Sequence, residues 1–239
     1  MDWYIVVKTI NGRRYRYRQK TWRENGRVRT RSEYIGPVDS ASSQSTPAAR
    51  TQLDSVVVDE VYATLTDANF VRTTWGPPWD LQRQGDDGVQ HVDAIDRLLN
   101  TLKVNLREAN LGAFYRPSDD SITLPPMGAF REFSGQTATQ NYYGVLLHEL
   151  VHATGSVNRL RRRDSHTQLG YAREELVAES AALLLLKHFG IASEDSSRHT
   201  GYFQTWLARA GHRERALQYA RKEALRAVHY ILEHGIIPK

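Results

Sequence analysis

The chain has 239 residues, a quarter of them charged and two fifths apolar, which suits a folded globular protein with one full-sized core and a small appendage. It contains no cysteine, so disulfides and thiolate ligands are excluded and any metal must be held by His, Asp or Glu. The longest apolar run, AALLLL at 181–186, falls short of the ~18–20 residues a membrane helix needs, and MDWYIVVKTINGRR does not read as a secretory signal. A cytoplasmic location without a membrane partner is therefore expected.

The net charge of +5 is unevenly spread. Residues 1–37 carry ten Lys or Arg against Asp2, Glu24 and Glu33, a surplus of +7, so the basic character belongs to this piece alone. Residues 2–10 (DWYIVVKTI) are rich in β-branched and aromatic types, and Asn11-Gly12 is a strong hairpin signal because both turn positions favour positive φ. Residues 13–22 (RRYRYRQKTW) follow, then a turn at Glu24-Asn25-Gly26, then RVRTRSEYIG, stopped at Gly36-Pro37. The pattern predicts a three-stranded antiparallel meander over 1–37, too small to be stable alone. Side chains alternate along a strand, so Arg14, Arg16 and Arg18 form one stripe, with Arg13, Tyr15 and Tyr17 on the other face. That stripe is a candidate for weak, sequence-independent contact with nucleic acid; the alternative is a solvated hairpin that docks on the main domain.

Residues 38–52 (VDSASSQSTPAARTQ) read as a flexible linker, and the main domain is expected over 53–239. From His91 to about Leu102, apolar residues recur at helical spacing. Three short strands are predicted at 104–109, 113–116 and 121–124, separated by turns at Asn110-Leu111-Gly112 and at 117–120 and closed by Pro125-Pro126. Beyond them, helices are predicted near 138–154, 171–189, 199–210 and 212–234, with Gly155, Gly190 and Gly211 near the ends of the first three. The fold class is α+β.

Within 145–154 (VLLHELVHAT) lies the pattern H-E-x-x-H. On a helix, His148 and His152 are i, i+4 and share a face, so both imidazoles can reach one ion. Glu149 sits one step round, where its carboxylate can serve as the base of a hydrolytic zinc site. The remaining positions of this segment are uncharged, as in a buried helix whose polar groups are the site. A catalytic zinc usually takes three protein ligands and keeps a fourth position open. Glu175 and Glu179, i and i+4 on the face that runs into AALLLL, are the candidates. Glu175 is assigned as third ligand and Glu179 as the acceptor that orients a ligand histidine. Glu174 reads as a solvated charge pointing elsewhere.

Residues 113–186 resemble the zincin metallopeptidase domain of the ArdC antirestriction proteins and related polyvalent proteins of plasmids and phages. The likeness is carried by Ala113-x-Tyr115, Asp120-x-Ile122-x-Leu124-Pro125, Phe130, Tyr142-Tyr143, HELVHATG at 148–155, Arg159-Leu160, YAREELVAE at 171–179, and His199-x-x-Tyr202-x-x-x-Trp206-Leu207. It extends over roughly 90–235. The resemblance implies a gluzincin-like site with Zn²⁺ as cofactor, and a strand Ser121–Leu124 whose edge aligns a peptide substrate. Members of that family typically carry an N-terminal domain that binds single-stranded DNA. Residues 1–37 depart from it and are instead similar to a short basic meander of some transposases. His199 and Tyr202 are candidates for stabilising an oxyanion. Arg159, Arg161, Arg162 and Arg163 read either as a contact for phosphate or an acidic substrate, or as a solvated loop. The function expected is a zinc-dependent metallopeptidase of a mobile element or phage, acting on a protein or peptide. The alternative is a nucleic-acid-binding antirestriction or accessory protein whose zinc site is structural or vestigial.

Overall fold

A computed structural model describes residues 4–10, 13–24, 27–37, 53–67, 76–82, 88–162, 167–193 and 197–235. They fall into two units, Met1–Ala49 and Arg50–Lys239.

The first unit is an antiparallel meander of β1 (Tyr4–Ile10), β2 (Arg13–Glu24) and β3 (Arg27–Pro37) in that spatial order. Ile10 pairs with Arg13 and Glu24 with Arg27, so each connection is a two-residue one, as the Asn-Gly dipeptides require. The β2–β3 register shifts between Arg16 and Tyr17, the signature of a bulge. The residues of the Asn11-Gly12 turn, Asn25-Gly26, the predicted linker at 38–52 and the side chains of Arg14, Arg16 and Arg18 lie outside the described residues.

The second unit is built on α4 (Gln168–His188), which packs against α3 (Ala138–Thr154), α5 (Ser197–Leu207), α6 (Arg213–Gly235) and α1 (Ser55–Leu65). Its sequence is Ala, Leu and Glu, strong helix formers, and Thr167 caps it by accepting from the Gly170 N–H at 2.9 Å. From Glu174 to Leu186 every side chain is buried, the glutamates included, as expected of a central helix packed on by its neighbours on several sides. Helix α3 is buried almost throughout as well and starts at a capping box made by Thr137 and Gln140. Helix α2 (Asp93–Leu102) packs on α6 through Ile95 and Leu98. The remaining helix, α1, lies beyond the elements predicted from the sequence. Its start at Val56-Val57-Val58 carries β-branched residues of low helix propensity, yet Val58, Val61, Tyr62 and Leu65 recur at i, i+3, i+4 and i+7 and bury that stripe.

The small sheet has the order β4 (Asn105–Glu108), β6 (Ser121–Leu124), β5 (Phe114–Arg116), with β4 parallel and β5 antiparallel to β6. Strand β6 is therefore central and buried at all four positions, not the edge it is expected to be from the family resemblance. The turn of 117–120 folds β5 back beside β6, and β5 becomes the edge that packs on α3. Among the described residues no helix is long and apolar enough to cross a membrane. Because α4 is the hub of the packing, Leu183→Ala should lower unfolding free energy by about 2–5 kcal/mol, measured by urea denaturation. A loss below about 1 kcal/mol would mean that this helix can collapse into the cavity left behind.

Candidate metal centre

The centre forms where α3 crosses α4. The position of α3 is fixed at its start by Asn141, buried, which donates to the carbonyls of Arg131 and Gln136, each at 3.0 Å. Two turns later His148 and His152 lie on one face, their rings 4.7 Å apart at 79°. Their Nε2 atoms are 3.1 Å apart, and the Glu175 carboxylate of α4 stands 3.4 Å from His148 Nε2 and 3.5 Å from His152 Nε2. Ligand atoms about 2.1 Å from a tetrahedral ion lie about 3.4 Å from one another, so these spacings match the edges of such a site. Among the described residues, His148, His152 and Glu175 are the group able to hold a metal ion. Their side chains keep 17%, 11% and 9% of their surface exposed, so solvent reaches the centre.

Each imidazole is held from behind by a carboxylate. His148 Nδ1 is 3.4 Å from Glu179 Oε1, and His152 Nδ1 is 3.3 Å from Glu174 Oε1. Glu174 accepts, so the His152 ring carries a proton on Nδ1 and turns Nε2 toward Glu175, while His148 is paired with Glu179 at Nδ1 and with Glu175 at Nε2. Two imidazole nitrogens and a carboxylate converging at this distance are what a cation requires once His148 gives up its extra proton, and the donor set fits a divalent metal. Glu174 is thus not a solvated charge. It is buried and paired with Arg162, whose Nε donates to Oε2 at 2.9 Å and whose Nη2 donates to Oε1 at 2.8 Å. Arg162, read from the sequence as part of a substrate-contacting or solvated loop, has 1% of its side chain exposed.

Glu149 lies outside the ligand set, and its Oε2 accepts from the backbone N–H of Tyr115 on β5 at 2.8 Å. The Tyr115 hydroxyl donates to Asp120 at 2.9 Å, and Asp120 takes a two-pronged contact from Arg159 at 2.7 and 2.8 Å. Arg159 also donates to the Ala153 carbonyl at the end of α3 at 3.0 Å, so it ties the β5–β6 turn to the metal helix and is no substrate-contacting arginine. His199 is buried and joins the centre through Glu179, its Nδ1 2.9 Å from Oε2. Its Nε2 is buried against Gly144 of α3, with no hydrogen-bond partner among the described residues. Tyr202 is half-buried beside Arg198, whose guanidinium lies 5.8 Å from its ring centre. Tyr171 joins the centre without having been singled out from the sequence: its hydroxyl donates to Glu175 one turn on, and its exposed ring meets Trp206 edge to face at 5.3 Å. Its i, i+4 spacing to Glu175 is the signal that could have found it.

Burial opposes charge on His148, but Glu179, Glu175 and Glu149 outweigh it and push the pKa up to about 10. Burial likewise favours neutral Glu175, yet His148, His152 and the Tyr171 hydroxyl hold it at about 2, and His152 and Arg162 do the same for Glu174, also at about 2. The metal-free centre thus keeps a proton on His148 at neutral pH, and a metal must displace it. Metal uptake should release about one proton per site, and affinity should rise about tenfold per pH unit from about pH 7 to 9 and fall as pH drops. Calorimetric titration in buffers of different ionisation enthalpy counts that proton; an affinity independent of pH would show that His148 is not the titrating ligand.

A family model described as a zincin-like metallopeptidase matches residues 93–223. Over 124 residues the chain is 39% identical to the DNA primase TraC of Escherichia coli, a match covering 49% of this chain and 8% of that protein. It is 30% identical over 138 residues to the uncharacterized protein y4eC of Sinorhizobium fredii, covering 56% of this chain and 43% of the other. The matched part thus spans less than half the length of either relative. Among solved structures, the Mn(II)-bound antirestriction ArdC protein from the R388 plasmid shares the fold, with a TM-score of 0.51 and 22% identity over 94% of this chain and 71% of that one.

Proposed function

The chain belongs to the zincin-like metallopeptidase family, and from that premise we propose that it hydrolyses peptide bonds of a protein partner, using zinc held by His148, His152 and Glu175. The observation that carries the reading is the convergence of three side chains, with donor atoms 3.1–3.5 Å apart, beside a further acidic group, Glu149, that stays out of the ligand set. A site closed for purely structural reasons usually has four protein ligands, so a group of three favours catalysis over scaffolding. When bound, zinc supplies Lewis acidity that polarises a water or carbonyl oxygen. Glu149 then takes a proton from the attacking water and returns it to the leaving amine, and the Tyr115 N–H holds its carboxylate in place for both transfers. Glu179 and Glu174 keep the imidazoles in the Nδ1–H tautomer. The strand that aligns an extended peptide is β5, since it is the sheet edge that reaches Glu149. On this reading the chain works in the cytoplasm and is encoded by a mobile element or phage; the antirestriction ArdC protein of similar fold comes from a plasmid.

Glu149→Gln should bind zinc like the wild type and lower turnover by about 10²–10⁴-fold, because it removes the proton acceptor and leaves the ligands untouched. The test is to incubate the zinc-loaded protein and this variant with host lysate and search for new peptide termini. Termini produced equally by both would remove hydrolysis by this centre.

A second reading rests on the +7 surplus of residues 1–37: the meander contacts nucleic acid weakly and without sequence preference, through a stripe that includes Arg14, Arg16 and Arg18. On this reading the chain is an antirestriction or accessory protein in which DNA contact is central. Three to five phosphate contacts give a log–log salt slope of about −2 to −3.5 on single strands. Fluorescence titration of a labelled oligonucleotide at several salt concentrations measures it. Binding that is insensitive to salt, or absent at low salt, would dismiss the contact.

A further inference from the structure

We propose that Arg162 is a positioning residue of the metal centre, which by gripping Glu174 fixes the orientation of His152. The inference rests on the metal-centre reading above and deepens it. Arg162 lies in the loop that leaves α3, and its guanidinium is committed in four directions. Nη2 donates to the Val151 carbonyl at 2.7 Å and Nη1 to Thr154 Oγ1 at 3.0 Å, residues that flank His152 on the same turn of α3. The Nε and Nη2 hydrogens then meet the two oxygens of Glu174 at 2.9 and 2.8 Å. Glu174 comes from α4, and its Oε1 is the atom 3.3 Å from His152 Nδ1. The planar fork therefore carries the geometry of the ligand helix across to the carboxylate that must face its imidazole.

A carboxylate with one imidazole neighbour could swing about its own side-chain torsions; held at both oxygens, it cannot. The arrangement also makes Glu174 an acceptor at a place where Glu149, Glu175 and Glu179 are buried nearby. A ligand histidine with a fixed ring and a fixed Nδ1–H loses less freedom when a metal arrives, and outer contacts of this kind typically set affinity by about 10–100-fold. Neither Lys nor a neutral side chain offers the same two parallel bonds plus one to the Val151 carbonyl and one to the Thr154 hydroxyl.

Arg162 and Glu174 could also serve as a buried ion pair that the fold needs irrespective of metal, and the test separates the two roles. Replacing both members by apolar residues removes the unpaired charge that a single change leaves behind, which is often neutral for folding. Zinc affinity is measured by chelator competition for the full chain, for Arg162→Met/Glu174→Met and for Arg162→Lys, alongside thermal melts of the metal-free proteins. The expected result is a double variant that melts close to the wild type yet binds zinc about 10–100-fold more weakly, with Arg162→Lys in between. Wild-type zinc affinity in a folded double variant would overturn the proposal. If the double variant does not fold, Arg162→Lys decides: full affinity there overturns it, because the charge is kept and only the fork is lost. Wild-type protein that takes up no zinc would overturn the metal centre itself, and this proposal with it.

Discussion

Everything in the larger unit is arranged around one electrostatic constraint: Glu149, Glu174, Glu175 and Glu179 are all buried where α3 meets α4. Four carboxylates in an interior are costly unless cations compensate them. Arg162 compensates one directly. The rest gather on the imidazole side, and their summed field is what holds the proton on His148 with a pKa of about 10 in the metal-free chain. That proton occupies electrostatically the place a divalent ion would take. The helices can afford no slack around such a cluster, which is why both are apolar elsewhere and packed along their length.

Much of this was legible from local sequence. The spacing of His148 and His152, the placement of Glu149 one step round, and the acidic pair Glu175 and Glu179 running into AALLLL all follow from the 3.6-residue period, and the structure brings these five side chains together. The helices at 138–154 and 212–234 were likewise readable, because they carry capping or periodic signals over many turns.

What was not legible depends on partners distant in sequence. Glu174 and Arg162 each look like surface charges in their own neighbourhoods, the one beside another acid, the other in RLRRR. Only their mutual burial, set by how α4 returns past the end of α3, turns them into an internal pair. Strand order failed for the same reason: β6 is flanked by β5 in sequence, but its parallel pairing with β4 is a tertiary choice that short strands do not encode. The helix α1 was hidden because propensity and packing disagree there, and packing wins.

The latch at Asp120 shows how such long-range contacts bear on chemistry. Asp120 sits at φ 49°, a left-handed turn position that Asp tolerates through local hydrogen bonding, and this brings its carboxylate round to face both the Tyr115 hydroxyl and Arg159. Arg159 in turn holds the last turn of α3 at the Ala153 carbonyl. The two ends of this chain of contacts converge on one group: Tyr115 gives its ring to the latch and its backbone N–H to Glu149. Glu149 is thereby referred to the sheet edge and to its own helix at once. For the proposed hydrolysis this means that a peptide lying along β5 and the Glu149 carboxylate would share a single rigid frame, and a loosening of the turn would displace the one relative to the other without disturbing a metal ligand.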